Sequence, residues 1–322
     1  MIIMECDLMK KYKMKKKAKR SIIIFILLII LSIFGYKQYK TYKYHQTYEY
    51  KFLQNNYNLD EIKILTNNLD NEMLDKLLTR EYNKYYALVV DKKYFLLKNL
   101  DRYIVYLSKN EDLDINEAIA LVKVNRDREY YEDIKETDLT KGNAMLVNKY
   151  YALSKDYEAS DIVKASTTYA YAGMSLNKEA YEAFKRLAND AKKEGYTIVI
   201  LSSYRSYESQ EKLWNDRKNT GGIKKADAYA ARAGSSEHET GLAIDVADYN
   251  HPINFKDQES YIWMLNNSYK YGFILRYPEG AENITGYDYE SWHYRYLGVE
   301  LATKVYNEGI TYDEYYAYYL DK

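Results

Sequence analysis

Four side chains in the second half of the chain have the types and spacing for hydrolytic chemistry. They lie in two segments, Ser236-Glu237-His238-Glu239-Thr240-Gly241-Leu242-Ala243-Ile244-Asp245 and Glu290-Ser291-Trp292-His293. His238, Asp245 and His293 together offer two imidazole nitrogens and a carboxylate. This is the ligand set of a catalytic zinc site, in which a fourth position stays open to water; a structural zinc site would close that position with another ligand. Zinc lowers the pKa of its water to about 7 and polarises a carbonyl, so an amide becomes open to attack at neutral pH. Glu290 is placed to take the water's proton and pass it to the leaving amine.

The local pattern supports convergence. Read as a strand, Leu242, Ile244 and Val246 point one way and Ala243, Asp245 and Ala247 the other, so the carboxylate emerges among methyl groups with room for an ion. Gly241 permits the tight loop that returns His238 to the same place. Residues three apart in a strand face opposite sides, so Glu290 must sit in a turn or bulge before a strand that begins near His293. A lone His near an Asp is more often a hydrogen-bonded structural pair, and ExxH is short enough to arise by chance. The helical HExxH arrangement is absent, because position 242 is Leu. The chain has four histidines, and two of them fall in these segments. His251 and Asp248 are competing ligands in principle, but His251 precedes Pro252 in a polar loop and reads as surface. His45, beside an apolar segment, reads as incidental. Cys6 is the only thiol, so one chain can build neither a disulfide nor a cysteine zinc cluster.

The elements that must position these groups are predicted from periodicity. Ala180, Phe184, Leu187, Ala188 and Ala191 form one helical face that ends at Gly195. Thr197 to Leu201 reads as a buried strand. A loop carrying Arg205 leads to a helix near 207–219 stopped by Gly221 and Gly222, and an alanine-rich helix follows to Gly234. Then come strand Leu242 to Ala247, a helix around 258–271, strand Phe273 to Tyr277, and strand His293 to Leu297. The interleaving lacks a regular βαβ repeat, which points to an α+β domain with a small mixed or antiparallel sheet and flanking helices. Upstream, Leu59, Ile62 and Leu65 mark one helix, Met73, Leu74, Leu77 and Leu78 a second, and Ile115, Ala118, Ile119 and Val122 a third. Tyr86 to Val90 and Tyr94 to Leu97 read as short strands.

The N-terminus carries a different signal. Ile22 to Phe34 is an almost unbroken apolar run, which Ser21, Gly35 and Tyr36 extend to 16 residues. That is short for a span, but Lys19, Arg20 and Lys37 can snorkel at its ends. A cleaved signal peptide is the alternative, with no small-residue cleavage site after Phe34 to favour it. The positive-inside rule keeps the basic tail in the cytoplasm and exports the rest. The expected organisation is a cytoplasmic tail (1–20), a transmembrane anchor (21–36), a mostly helical extracytoplasmic stalk (37–142) and a zinc-binding domain (143–322). Substrate outside the cell disfavours ATP-dependent chemistry and favours hydrolysis.

At 322 residues the chain has length for about two domains. Its formal charge of zero hides an asymmetry: eight cations face two acids up to position 36, leaving 39 basic and 45 acidic residues beyond it. A mildly acidic body argues against nucleic acid as a partner, which would need a basic patch to displace phosphate counterions.

The motif SxHxxGxAxD (Ser236, His238, Gly241, Ala243, Asp245), followed by ExxH (Glu290, His293), resembles the zinc D-alanyl-D-alanine carboxypeptidases of the VanY type, a group that also holds D-Ala-D-Ala dipeptidases. The flanks MLVNKYYAL (145–153), SSYRSYESQ (202–210), GFILRYPEG (272–280) and TGYDYESWHYRYLG (285–298) agree, so the resemblance covers about 143–310. It implies Zn2+ on His238, Asp245 and His293, Glu290 as catalytic base, and Arg205 stabilising the oxyanion. Ser236 and Gln210 would hold the substrate's terminal carboxylate, and Trp292 would wall the site. Ser291 departs from the pattern, since many relatives have proline there. The implied activity is removal of the terminal D-alanine from peptidoglycan stem peptides or their lipid-linked precursor. A stem-peptide endopeptidase of the same fold and a non-catalytic wall-binding protein are the rival readings.

Overall fold

The computed structural model describes the backbone of residues 2–321 and the side chains of residues 9–321, so Cys6 lies outside the described side chains. The chain forms two compact units, Met1–Leu97 and Lys98–Lys322.

The first unit is helical: α1 (Ile2–His45), α2 (Tyr48–Gln54), α3 (Leu59–Asn68), α4 (Asn71–Leu78) and α5 (Tyr85–Val90). Helix α1 contains a stretch long and apolar enough to cross a membrane, and none of that stretch is buried against protein. This excludes a buried core helix. Helix α3 starts at a capping box, in which Asn58 Oδ1 accepts from Glu61 N at 2.9 Å while Glu61 Oε2 accepts from Asn58 N at 2.9 Å. Asp70 caps α4 by accepting from Met73 N at 2.9 Å. The strand expected at Tyr86 to Val90 is instead helix α5, and of the strand expected at Tyr94 to Leu97 the first three residues are turn and loop while Leu97 opens a 3-10 turn. A short apolar run has no period to arbitrate between strand and helix. Here Tyr85, Tyr86, Ala87, Val89 and Val90 are all buried, which a six-residue helix packed on α3 achieves without a strand partner.

The second unit opens with α6 (Leu100–Lys109) and α7 (Ile115–Lys123). The sequence places both in the stalk region 37–142, whereas the structure groups them with this unit. Arg126, just past α7, donates from Nε to the Asn283 carbonyl at 2.6 Å, and β1 (Lys135–Glu136) pairs in parallel with β2 (Tyr151–Ala152). These ties join residues far apart in sequence, so periodicity gives no hint of them. Strand β3 (Ile162–Lys164) pairs antiparallel with β4 (Ser175–Asn177). There follow α8 (Lys178–Lys193), β5 (Ile198–Ser202), α9 (Tyr207–Tyr229), β6 (Ala243–Asp248), α10 (Glu259–Asn267), β7 (Phe273–Leu275), α11 (Glu282–Thr285), β8 (His293–Tyr296), α12 (Val299–Glu308) and α13 (Tyr312–Tyr315).

The central sheet is antiparallel throughout, in the order β5-β6-β8-β7, with helices around it, which is the expected α+β class. Helix α8 is capped by Asn177, whose Oδ1 accepts from Glu179 N at 2.9 Å. It ends before Gly195, at φ +96°. Its predicted apolar face (Ala180, Phe184, Leu187, Ala188, Ala191) is buried against Ile198, Ile200, Leu242, Ile244, Val246, Met264 and Phe273. The span labelled α9 is two helical segments that break at Gly222 (φ 80°, ψ 167°), at the expected stop, and the second segment ends at Tyr229, short of the expected Gly234. Strand β7 stops at Leu275, short of the expected Tyr277.

Gly241 lies between the turn carrying His238 and β6. Its φ is +70°, and a Cβ there would meet Ile162 Cδ1 at 2.5 Å and the Asn177 nitrogen at 3.2 Å. Gly195 has φ +96° but open space around it. Gly195→Ala is therefore expected to cost only the left-handed conformation, about 1–2 kcal/mol. Gly241→Ala adds overpacking of about 1–3 kcal/mol. Denaturant unfolding of the two variants should show Gly241→Ala clearly the less stable; equal midpoints would mean that the loop relaxes freely.

Candidate metal centre

The antiparallel register sets Asp245 of β6 directly opposite His293 of β8. His238 comes from the short 3-10 turn Glu237–Thr240, which Gly241 joins to β6. One donor atom from each of the three residues lies within 4.8 Å of the others. Asp245 Oδ1 is 3.4 Å from His238 Nε2 and 3.1 Å from His293 Nδ1. The two imidazole rings stand nearly perpendicular, with centroids 5.0 Å apart.

Both imidazoles are oriented from behind. His238 Nδ1 is 2.9 Å from the Ser203 carbonyl oxygen, which can only accept, so Nδ1 carries the hydrogen and the Nε2 lone pair faces Asp245. On the other ring Nδ1 faces Asp245, while Nε2 faces the Glu237 carboxylate at 3.4 Å. Burial would raise the Asp245 carboxyl, but His238 and His293 outweigh it and hold the group far below the ordinary carboxylate range. Burial lowers His293, yet its hydrogen bonds to Asp245 and Glu237 prevail and raise it to about 9. Buried anions thus create a demand for positive charge at this point, which a proton or a divalent cation can meet. Two imidazole nitrogens and one carboxylate oxygen, converging with one side open to a cleft, fit zinc by donor type and number.

Glu290 sits in a turn before β8, as the strand geometry required. His293 N donates to its carbonyl at 3.2 Å, and its own N donates to the Tyr277 carbonyl at 3.1 Å. Its Oε2 is 3.6 Å from His293 Nδ1. Burial pushes its carboxyl up to about 7, with His293 opposing and Asp245 reinforcing. Arg205 lies in the loop between β5 and α9. Its Nη1 donates to Gln210 Oε1 at 2.7 Å and its Nη2 to Ser202 Oγ at 3.1 Å, which leaves Nη2 3.8 Å from Asp245 Oδ2.

These groups line a cleft of about 340 Å³, together with Gln210, Ser236, Trp292, Arg217, Tyr277 and Tyr287. All the predicted site residues are therefore brought together. Gln210 is 1% exposed, and its Nε2 donates to the Ala231 carbonyl at 2.7 Å while its Oε1 accepts from Arg205. Its amide oxygen thus meets Arg205 and its amide nitrogen the backbone of the cleft wall. Ser236 is buried in the cleft wall, and Trp292, 42% exposed, stands where this cleft meets a second hollow lined by Leu201, Phe255, Lys256 and Tyr289. His251 is exposed, and His45, on α1, stacks on Tyr50.

Sequence reasoning passed over Glu237, Arg276 and Arg295. Glu237 adjoins His238, and Arg295 shares a strand face with His293 two positions earlier, a period-two signal that could have marked it. Arg276 had no such signal, because its partners Glu237 and Asp313 are remote in sequence.

The family described as "VanY: D-alanyl-D-alanine carboxypeptidase" matches residues 173–299. A Bacillus subtilis (strain 168) protein named putative carboxypeptidase YodJ is 37% identical over 202 residues, covering 58% of this chain and 74% of that protein. The D-alanyl-D-alanine carboxypeptidase of Enterococcus faecium is 30% identical over 251 residues, covering 70% and 79% respectively. Among solved structures, the LdcB LD-carboxypeptidase superposes with a TM-score of 0.55 at 35% identity, over 59% of this chain and 92% of that one. The chain belongs to the VanY family of D-alanyl-D-alanine carboxypeptidases.

Proposed function

We propose that this protein is a zinc D,D-carboxypeptidase anchored in the cell membrane with its C-terminal unit outside, where it removes the terminal D-alanine from peptidoglycan stem peptides or their lipid-linked precursor. The observation that carries this reading is the convergence of donors from His238, Asp245 and His293 within 4.8 Å, with Glu290 and Arg205 beside them. His238 Nε2, an Asp245 oxygen and His293 Nδ1 would hold the ion. When bound, zinc supplies Lewis acidity towards the scissile carbonyl and acidifies a water to a pKa of about 7.

The remaining work falls to side chains of the chain itself. Glu290 accepts the proton of the attacking water and returns it to the nitrogen of the departing D-alanine. A carboxyl pushed up to about 7 is suited to both transfers near neutral pH. Arg205 meets the negative charge that develops on the carbonyl oxygen. Because Gln210 and Ser202 already hold its guanidinium, little reorganisation is needed as that charge appears. Ser236 and the cationic cleft wall suit a substrate that ends in a carboxylate, and Trp292 flanks the scissile bond.

One comparison favours a second reading. The LdcB relative is named an LD-carboxypeptidase, which implies a tetrapeptide ending in one D-alanine as the alternative substrate. The full chain in detergent, incubated with a pentapeptide ending in D-Ala-D-Ala and separately with the tetrapeptide, is expected to release one alanine from the first and none from the second. Cleavage of the tetrapeptide alone overturns the D,D assignment, and release of larger pieces marks an endopeptidase. A chelator should abolish the activity and zinc restore it.

Glu290→Gln is expected to lower kcat about 10²–10⁴-fold while zinc content, measured by metal analysis, stays at the wild-type level. Unchanged turnover would remove Glu290 from the mechanism.

The anchor and its orientation rest on the exposed apolar stretch of α1 and on the lysines that precede it. The single thiol makes a direct test available. Cys6 should resist a membrane-impermeant maleimide on intact cells and react after permeabilisation. Labelling of intact cells means the opposite orientation, and a membrane-free product lacking residues 1–36 means a signal peptide.

A further inference from the structure

Behind His293 lies an ionic cluster shut off from solvent. Arg276 and Arg295 are 0% exposed and Glu237 is 2% exposed. Glu237 Oε1 accepts from Arg276 Nε at 2.7 Å and from Arg295 Nη1 at 3.0 Å, while Oε2 is turned to His293 Nε2 at 3.4 Å. Arg276 is gripped at its other end by Asp313, which also accepts from Asn148 Nδ2 at 2.8 Å. Arg295 Nη2 donates to the carbonyls of Asn143 and Met145 at 3.0 and 2.8 Å. Burying so many charges is costly, and apolar residues of similar volume commonly serve stability as well or better. The arrangement therefore calls for a task other than holding the fold together.

We propose that Glu237 is the positioning residue for His293: by accepting the Nε2 hydrogen, it keeps the Nδ1 lone pair free and aimed at the metal position. This rests on the reading of His293 as a zinc ligand. The need arises from the opposite side of the ring. Asp245 Oδ1 at 3.1 Å and Glu290 Oε2 at 3.6 Å both face Nδ1 and would draw the proton there, where it blocks coordination. Glu237 is the competing acceptor. Its two arginines hold Oε1, so Oε2 is the oxygen left for the imidazole. Ligating histidines commonly donate their other N–H to such a carboxylate, which sets both tautomer and ring orientation.

The same clamp makes glutamine a discriminating substitution. Arg276 and Arg295 are donors and require the amide oxygen at the Oε1 position, which turns the amide NH2 towards His293 Nε2. A donor then faces a donor, and the ring is driven to carry its hydrogen on Nδ1. Asp313→Asn is the control, since it perturbs Arg276 in the same buried cluster without touching His293.

Zinc affinity of the full chain in detergent, measured by chelator competition, is expected to fall about 10–100-fold in Glu237→Gln and to change much less in Asp313→Asn. Equal weakening in both variants, or wild-type affinity in Glu237→Gln, overturns the proposal and leaves the cluster a structural element. A readout needing no variant is 15N-histidine labelling of the zinc-loaded wild type. It should show His293 ligated through Nδ1 and protonated at Nε2, and the reverse pattern overturns the proposal even if Glu237→Gln does not fold. Failure of the wild type to bind zinc at all overturns the zinc reading and this inference together. Zinc bound normally, with an unaffected Glu237→Gln, overturns this inference alone.

Discussion

The pairing of β6 with β8 is the constraint on which the site depends. In an antiparallel ladder, directly opposed residues project from the same face, so the register that sets Asp245 against His293 brings their ligand atoms within hydrogen-bonding distance. A slip of one residue would carry one of them to the other face and destroy the site. The register is held by the apolar face of the same strand. Leu242, Ile244 and Val246 are buried in the core with α8 and β5, and a slip would turn them to solvent. The hydrophobic effect that folds the domain therefore also aligns these two donor groups. Tyr294, neighbour to His293 on β8, is fully buried in that core and secures the second strand in the same way.

Around this pair the charges are layered. Asp245, Glu290 and Glu237 surround His293, and Arg205, Arg276 and Arg295 stand behind the carboxylates. The pairings differ in character. Arg276 and Arg295 are buried and engaged on several sides, which suits a rigid support. Arg205 is partly exposed at the cleft and stands 3.8 Å from Asp245. The opposite shifts of Asp245, held low, and Glu290, pushed up to about 7, give two neighbouring carboxylates different capabilities: one remains an anion, the other can hold a proton.

Much of this was legible in the residues. The donor groups of His238, Asp245 and His293, the face on which Asp245 lies, the need for a turn at Glu290 and the tight loop at Gly241 follow from residue chemistry and strand geometry, and the structure brings those donors within 4.8 Å of one another. The apolar face of α8 and its end near Gly195 were equally readable, because a 3.6-residue period and a helix-ending glycine are local signals. Errors occurred where locality fails. Tyr86 to Val90 is apolar on every side, so only the packing of α5 on α3 decides that it is a helix. Helices α6 and α7 resemble those before them, and only the Arg126 bond to Asn283 and the β1–β2 pairing show which unit they join. The position of Gln210 in the sequence likewise says nothing of the Ala231 carbonyl that its amide meets.

The sequence by itself determined which groups are available for chemistry: two histidines, an aspartate and a glutamate in two short motifs, no competing cysteine ligands, and an apolar N-terminal segment able to meet a membrane. Tertiary structure alone decided how those groups are directed, since the Ser203 carbonyl, Glu237 and its two arginines come from segments with no sequence proximity to the imidazole or carboxylate they orient. The physical reason is that ligand identity is a property of single residues, whereas tautomer, protonation and aim depend on which donors and acceptors burial brings against them.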